Sequence, residues 1–166
     1  YPWGDNKPYN SYSRFIKQTF NQRIQKISVY GGFTCPNRDG SKGLGGCIYC
    51  DNQTFYPEYC KPDLSITKQI DTGVSFFAEK YPEMLYFAYF QTYTNTYAPV
   101  ETLKDVYTEA INHPKVVGLI IATRPDCVSQ EILEMLAVIS NEKFVAIEYG
   151  VESTSDSTLK LINRGH

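Results

Sequence analysis

Three of the five cysteines, Cys35, Cys47 and Cys50, lie within one sixteen-residue segment with the spacing C-x11-C-x2-C. The two-residue gap lets a pair of thiolates reach one metal centre from a single turn. Four glycines between Cys35 and Cys47 suit a backbone that wraps closely around a bound group and directs N–H groups at it. The first residues do not have the pattern of a secretion signal. We therefore expect a cytoplasmic protein, in which such cysteines favour metal or redox chemistry over disulfides.

Two kinds of metal site fit this spacing. Cys60 would complete a four-cysteine set, and a structural zinc site closes four protein ligands. Zinc would then stabilise a binding module whose basic N-terminal half contacts RNA. An iron–sulfur cluster held by three cysteines instead leaves one iron open, as a catalytic cluster requires. The spacing alone leaves both alternatives open, and three buried free thiols on a glycine-rich loop are the least favoured interpretation.

The elements that must position these cysteines follow from the apolar pattern. Four short apolar runs are typical of strands buried on both faces of a parallel sheet, at residues 27–33, 84–90, 116–123 and 144–149. Periodicity and capping residues predict helices at 13–21, 64–80, 99–112 and 130–140, and a last helix capped by Ser155 or Asp156. The order from the first strand is βαβαβαβα. We therefore expect an α/β fold, a partial TIM-like (β/α) barrel with parallel strands and four β/α units.

Polar residues stand where three of the predicted strands end. The second strand runs into Gln91 and Asn95, the third into residues 123–126, and the fourth carries Glu148 ahead of Glu152. The carboxyl ends of parallel strands meet at the same edge of a sheet. We therefore expect these residues and the cysteine loop, which follows the first strand, to form one site at that edge.

The composition of the 166 residues limits the class of protein. Hydrophobic residues make up 42% and charged residues 20%, which predicts a single domain over residues 1–166, with residues 1–26 as an N-terminal extension. The longest apolar stretches, of about seven residues, are too short for a transmembrane helix, so we expect no membrane contact. The net charge is −2, yet residues 1–50 hold seven basic and two acidic side chains, so a local basic face could meet an anionic partner. The open edges of a four-unit barrel predict that the chain continues beyond His166.

The segments GFTCPNRDG at 32–40 and GGCIYCD at 45–51 resemble the cluster motif of radical S-adenosylmethionine enzymes. Within that superfamily they are similar to a bacterial subfamily near the elongator catalytic subunit and oxygen-independent coproporphyrinogen oxidase. Further matches at 121–126, 148–153 and 162–166 come in the family's order, so the resemblance covers most of the chain. The first gap between cysteines is eight residues longer than in the commonest superfamily spacing, C-x3-C-x2-C.

The resemblance implies that Cys35, Cys47 and Cys50 bind a [4Fe–4S] cluster, with the amino and carboxylate groups of S-adenosylmethionine on the fourth iron. It implies reductive cleavage of S-adenosylmethionine to a 5′-deoxyadenosyl radical, with the electron supplied by an external donor such as a flavodoxin or ferredoxin. It also implies that the four units are the N-terminal part of a six-unit core. The substrate stays open, and the elongator relatives offer tRNA by analogy. Cys60 and Cys127 are expected to be ordinary thiols.

The resemblance also implies cofactor-binding roles for residues beside these motifs. Tyr49, just before the third cysteine, would pack near the adenine or cover the cluster from water. Gln91 and Asn95 would accept hydrogen bonds from the methionyl amino group, or simply cap a loop.

Three charged residues complete the expected site. Glu148 would bind a ribose hydroxyl or form a salt bridge to Arg124, because an unpaired carboxylate is costly to bury. If Arg124 does not pair with Glu148, its guanidinium would bind the methionyl carboxylate in bidentate fashion. Glu152 stands on a glycine-containing turn where the family usually has glutamine.

Overall fold

The computed structural model describes residues 1–4, 6–52 and 57–166 of the chain. Helices and strands alternate along them in the order α1 Tyr12–Phe20, β1 Ile24–Val29, α2 Ile66–Ala78, β2 Leu85–Phe90, α3 Val100–Ile111, β3 Val116–Thr123, α4 Gln130–Ser140, β4 Phe144–Tyr149 and α5 Asp156–Leu161. This alternation confirms the predicted α/β class. None of the described helices is long and apolar enough to cross a membrane.

The four strands form one parallel sheet in the order β1-β2-β3-β4. One row of paired residues runs across it from Ile27 through Ala88 and Leu119 to Val145. The strands lie in the sheet in the same order as in the chain. After each strand, the following helix runs back to the end of the sheet where the strands begin, and the next strand pairs with the one just completed. All four strands therefore end at the same edge, and the loops that follow them are neighbours there.

One face of the sheet is covered by three helices. Ala88 and Leu119 on the strands pack there with Ile70 of α2, Leu103 of α3 and Leu136 of α4, and all five side chains are buried. Burial of this much apolar surface is the main term that stabilises the sheet–helix layer. The helices thus hold the strands, and with them the strand ends, in place.

The opposite face of the sheet is covered by α1. Ile16 is buried against Phe87 of β2 and Ile120 of β3, and Phe20 and Phe144 pack around them. Phe20 meets the ring of Phe87 edge-on at 5.3 Å between centroids. Apolar residues on both faces explain why the strands appear in the sequence as nearly continuous apolar runs.

The first strand is the element whose limits the sequence predicted wrongly. It was expected at 27–33 but lies at Ile24–Val29. Beyond it, the buried side chain of Gln69 replaces a strand partner: its Oε1 accepts from the Tyr30 N–H at 2.8 Å, and its Nε2 donates to the Tyr30 carbonyl at 3.2 Å. Gly32 then takes a φ of +81°, which a strand cannot continue through. Phe33 is buried in the core although it lies outside the strand, which is why its apolar side chain extended the predicted strand too far.

The remaining elements agree with the sequence to within one or two residues at each end. Ser65 and Ser129 cap α2 and α4, since each side chain accepts a backbone N–H from the first turn. The last helix is capped by Ser155 rather than Asp156, through the N–H of Thr158. Capping serines therefore set the starts of three helices that follow strand-end loops.

Gly118 is a position where the sheet tolerates no side chain. A Cβ there would overlap the backbone carbonyl of Phe144 on the neighbouring strand. We expect Gly118→Ala to lower the free energy of unfolding by about 2 kcal/mol, because the strands must move apart. Urea unfolding measures this loss. Gly43→Ala is the control, because a Cβ there meets nothing closer than 3.8 Å; equal losses for the two variants would contradict the prediction.

Candidate functional site

A cavity of about 350 Å³ lies at the edge where the strands end. Cys35, Cys47 and Cys50 line it on the side of the cysteine loop. Residues at the ends of β2, β3 and β4 line the other side, among them Gln91, Thr123 and Glu148. The structure thus brings the three cysteines together with Gln91, Thr123 and Glu148, which the sequence placed at one edge.

The cysteine loop turns tightly beside this cavity. Cys47 is buried, Cys35 and Cys50 are half-buried, and the Cys50 N–H donates to the Cys47 carbonyl at 3.0 Å. Gly46 has a φ of +85°, and a Cβ there would lie 2.9 Å from the guanidinium of Arg38. Among the side chains that the structure describes, no three His, Cys, Asp or Glu residues converge closely enough to hold one metal ion. The three thiols share a cavity wall but not one coordination point.

Asn37 fastens this loop to the end of the chain. Its side-chain Nδ2 donates to the Asn163 carbonyl at 2.6 Å, and its Oδ1 accepts from Arg124 at 3.0 Å and from the Gly165 N–H at 3.3 Å. Asn163 returns the contact by donating to the Gly46 carbonyl at 2.8 Å. Both segments contain motifs of the sequence, but the sequence predicted no role for Asn37 or Asn163. The sequence carries no local signal for this contact, because Asn37 and Asn163 are 126 positions apart.

Two guanidinium groups lie beside the cysteines. Arg38 donates to the Cys50 carbonyl at 2.8 Å, and a hydrogen bond to the Cys50 side chain raises the pKa of Arg38. Arg164 places Nη1 3.7 Å from the sulfur of Cys47 and donates from Nη2 to the Gly150 carbonyl at 2.6 Å. The sequence predicted no role in the site for either arginine. Positive charge therefore stands next to two of the three thiols.

Arg124 lies almost fully buried and is paired within the protein. Its Nε and Nη2 donate to the two carboxylate oxygens of Asp126 at 2.9 and 2.8 Å, and Lys42 reaches the same carboxylate at 2.6 Å. Burial opposes the charge of Asp126, but the hydrogen bonds from Arg124 and Lys42 outweigh it and hold the pKa of Asp126 well below its usual range. A methionyl carboxylate would have to displace Asp126 to meet this arginine in bidentate fashion.

Glu148 lines the cavity from β4 and has two partners across the sheet. Lys26 of β1 reaches its carboxylate at 2.7 Å, and the Tyr89 hydroxyl of β2 donates to it at 2.8 Å. The Lys26 ammonium also lies 4.1 Å from the centre of the Tyr89 ring. Burial, with the hydrogen bond to Glu148, raises the pKa of Tyr89. The salt bridge foreseen for Glu148 is therefore present, but naming Arg124 as its partner was wrong.

Gln91 and Asn95, for which the sequence predicted the same role, have different surroundings. Gln91 lines the cavity. Asn95 is 1% exposed, and its Nδ2 donates to the carbonyls of Phe90 at 3.0 Å and Ala122 at 2.9 Å. The hydroxyl of Tyr107 donates to the backbone carbonyl of Asn95. The loop-capping alternative for Asn95 is therefore present, because its amide nitrogen joins the ends of β2 and β3. Its role toward the methionyl amino group stays a prediction.

Tyr49 and Glu152 both line the cavity near the cysteine loop. Tyr49 is half exposed, and burial of its hydroxyl raises its pKa despite the opposing charge of Arg164. Glu152 has a φ of +65° and lies with its Oε1 4.0 Å from Nη2 of Arg164. The left-handed backbone at Glu152 turns the chain after β4 so that its carboxylate faces the arginine.

The other two cysteines do not line this cavity. Cys60 is buried next to β1 and α2: its sulfur lies 3.7 Å from the carbonyl of Ser28 on β1 and 3.2 Å from Oε1 of Gln69 on α2. Burial raises the pKa of the Cys60 thiol to about 11, which keeps it protonated at neutral pH. Cys127 follows Asp126 and donates to its carboxylate at 3.7 Å. This placement does not favour Cys60 as a fourth ligand to a metal held by the other three.

Comparison with known proteins gives relatives about twice as long. No protein-family model matches the chain. It is 36% identical over 161 residues to Protein YhcC of Escherichia coli K12, an alignment that covers 96% of this chain and 51% of that protein. It is 33% identical over 160 residues to Uncharacterized protein YtqA of Bacillus subtilis (96% and 50%), and 36% over 161 residues to Uncharacterized protein MJ0486 of Methanocaldococcus jannaschii (95% and 48%). The chain therefore spans about half the length of the curated relatives it matches.

Proposed function

We propose that this chain forms the cofactor-binding part of a radical S-adenosylmethionine enzyme. The supporting observation is the cavity at the strand ends, where the three cysteines of the motif face residues from β2, β3 and β4. Ligand sites in open α/β sheets lie at this edge. A metal site for structural purposes alone would not need such a cavity beside it.

The donor set fits a [4Fe–4S] cluster. Cysteine thiolates are the ligands that such clusters take, and each binds a different iron, so the three sulfurs need not converge on one point. Cys35, Cys47 and Cys50 would hold three irons and leave the fourth for the amino and carboxylate groups of S-adenosylmethionine. When bound, the cluster supplies one electron for reductive cleavage of the sulfonium carbon–sulfur bond.

The side chains around the cavity would bind and orient the S-adenosylmethionine. Gln91 offers an amide oxygen to the methionyl ammonium group. Glu148, held by Lys26 and Tyr89, offers a fixed carboxylate to a ribose hydroxyl. Tyr49 presents an accessible ring beside Cys47 for stacking on adenine. The cavity volume lies within the usual range for small-molecule sites, roughly 300–1,000 Å³.

Arg124 takes a structural role in this proposal. Its guanidinium joins the loop after β3 to Asn37 of the cysteine loop and to the Gly165 carbonyl near the chain end. Asp126 neutralises its charge. Arg124 would therefore hold the cavity walls together, and the methionyl carboxylate would bind elsewhere on the rim.

We also propose that the sheet is part of a larger, partial TIM-like barrel. The side chains of β4 are half-buried at Phe144–Ile147 and exposed at Glu148 and Tyr149, although its neighbour β3 is mostly buried. An apolar edge strand that is only half-buried is expected where a further strand pairs with it. Four units would then be the N-terminal part of a six-unit core, with an external flavodoxin or ferredoxin as electron donor.

Anaerobic reconstitution with iron and sulfide tests this function. We expect about four iron atoms per chain, as a [4Fe–4S] cluster requires. We also expect an electron paramagnetic resonance spectrum of the dithionite-reduced protein that changes when S-adenosylmethionine is added, because the cofactor binds the open iron. A colourless protein that retains zinc, or a cluster whose spectrum ignores S-adenosylmethionine, would contradict the proposal.

A further inference from the structure

The sulfur of Cys47 receives two side-chain N–H groups. Nδ2 of Asn37 lies 3.4 Å from it and Nη1 of Arg164 lies 3.7 Å from it. All three residues are withdrawn from solvent: Cys47 is 6% exposed, Asn37 is 1% exposed and the Arg164 side chain is 10% exposed. Water therefore screens the charge of Arg164 poorly at this sulfur.

Arg164 is held in this position by contacts on its other N–H groups. Nη2 donates to the Gly150 carbonyl at 2.6 Å and Nε donates to Nδ1 of His166 at 3.2 Å. The carboxylate of Glu152 lies 4.0 Å from Nη2. A Cβ at Gly150 would lie 3.2 Å from Nη2, so the backbone approaches the guanidinium closely. The charge beside Cys47 is therefore fixed in place, and the carboxylate of Glu152 lies opposite it.

From these contacts we infer that Arg164, with Asn37, raises the reduction potential of the cluster through the sulfur of Cys47. This inference rests on the proposed function. Reduction adds one electron and hence one negative charge to the cluster and its thiolates. A nearby cation and N–H groups directed at the sulfur stabilise the reduced form more than the oxidised form. Arg164 is thus a positioning residue, and Glu152 opposes its effect.

Two variants should shift the potential in opposite directions. Arg164→Gln removes the cation, so we expect the equilibrium constant for reduction to fall roughly tenfold, which for one electron is about 59 mV toward a lower potential. Glu152→Gln removes the opposing carboxylate, so the potential should rise. Arg164→Lys keeps the charge but not the planar fork, so its potential should lie between those of wild type and Arg164→Gln.

The measurement is a redox titration of the reconstituted protein with dithionite and dye mediators, followed by electron paramagnetic resonance without S-adenosylmethionine. Arg23→Gln is the matched control, because it removes one exposed positive charge next to Tyr81, away from the cavity. We expect the control to keep the wild-type potential.

The outcomes separate this inference from the proposed function. A wild-type protein that takes up no cluster would overturn the proposed function, and the inference with it. A normal cluster whose potential is unchanged in Arg164→Gln and Glu152→Gln would overturn the inference alone. If Arg164→Gln loses its iron, Arg164→Lys and Glu152→Gln decide: wild-type potentials in both would assign Arg164 a purely structural role.

Discussion

Alanine at Cys35, Cys47 or Cys50 is expected to abolish cluster assembly, whereas alanine at Cys60 or Cys127 should leave the iron content at the wild-type level. The first three thiols line the cavity and the other two do not. Removing one thiolate leaves an iron without its protein ligand, so the cluster is lost rather than weakened. Iron and sulfide counting after anaerobic reconstitution, with the visible absorption of the cluster, measures the effect.

Cys60→Ala is the decisive control in this series. Its thiol is protonated and hydrogen-bonded to Gln69 behind β1, so the substitution removes a core contact without touching the cavity. A stable Cys60→Ala protein that no longer holds metal, together with zinc in the wild type, would transfer the site to the four-cysteine alternative. Circular dichroism of each variant separates loss of metal from loss of fold.

Asp126→Asn is expected to lower the free energy of unfolding at neutral pH by about 3 kcal/mol, the usual cost of breaking a buried ion pair. The substitution leaves the guanidinium of Arg124, whose side chain is 2% exposed, without a counter-charge. It also releases Lys42 from the same carboxylate. Urea unfolding measures the loss. Glu101→Gln is the control, since Glu101 and Lys104 form an exposed pair that should contribute little.

The loss caused by Asp126→Asn should depend on pH. The folded-state pKa of Asp126 lies below its ordinary value of about 3.9, because Arg124 and Lys42 outweigh the effect of burial. Its ionised form therefore stabilises the fold fully above that ordinary value, and the stabilisation disappears as the pH falls toward the folded-state pKa. The stability advantage of the wild type over Asp126→Asn should begin to shrink below about pH 4 and should vanish near the folded-state pKa. An advantage that stays constant from pH 7 to pH 3 would contradict this assignment.

The amino-acid sequence by itself determined the α/β class, the order of helices and strands along the chain and the grouping of the three cysteines at one cavity. Apolar runs and helical periodicity are local signals, and β3 and β4 have the limits that these runs predicted. The shared edge of the strands follows from parallel topology alone. The cysteine spacing, likewise, is readable without coordinates, and Cys35, Cys47 and Cys50 do line one cavity.

Only the tertiary structure decided which polar groups are partners. Lys26 and Glu148 are 122 positions apart, and Asn37 and Asn163 are 126 apart, so no local spacing encodes either pair. The sequence treated Gln91 and Asn95 as equivalents, yet three-dimensional packing turned Asn95 inward to satisfy backbone carbonyls at two strand ends. A buried polar group pairs with whichever partner the fold brings within about 3 Å. The free-energy cost of leaving the group unpaired is larger than the difference between one hydrogen-bond partner and another.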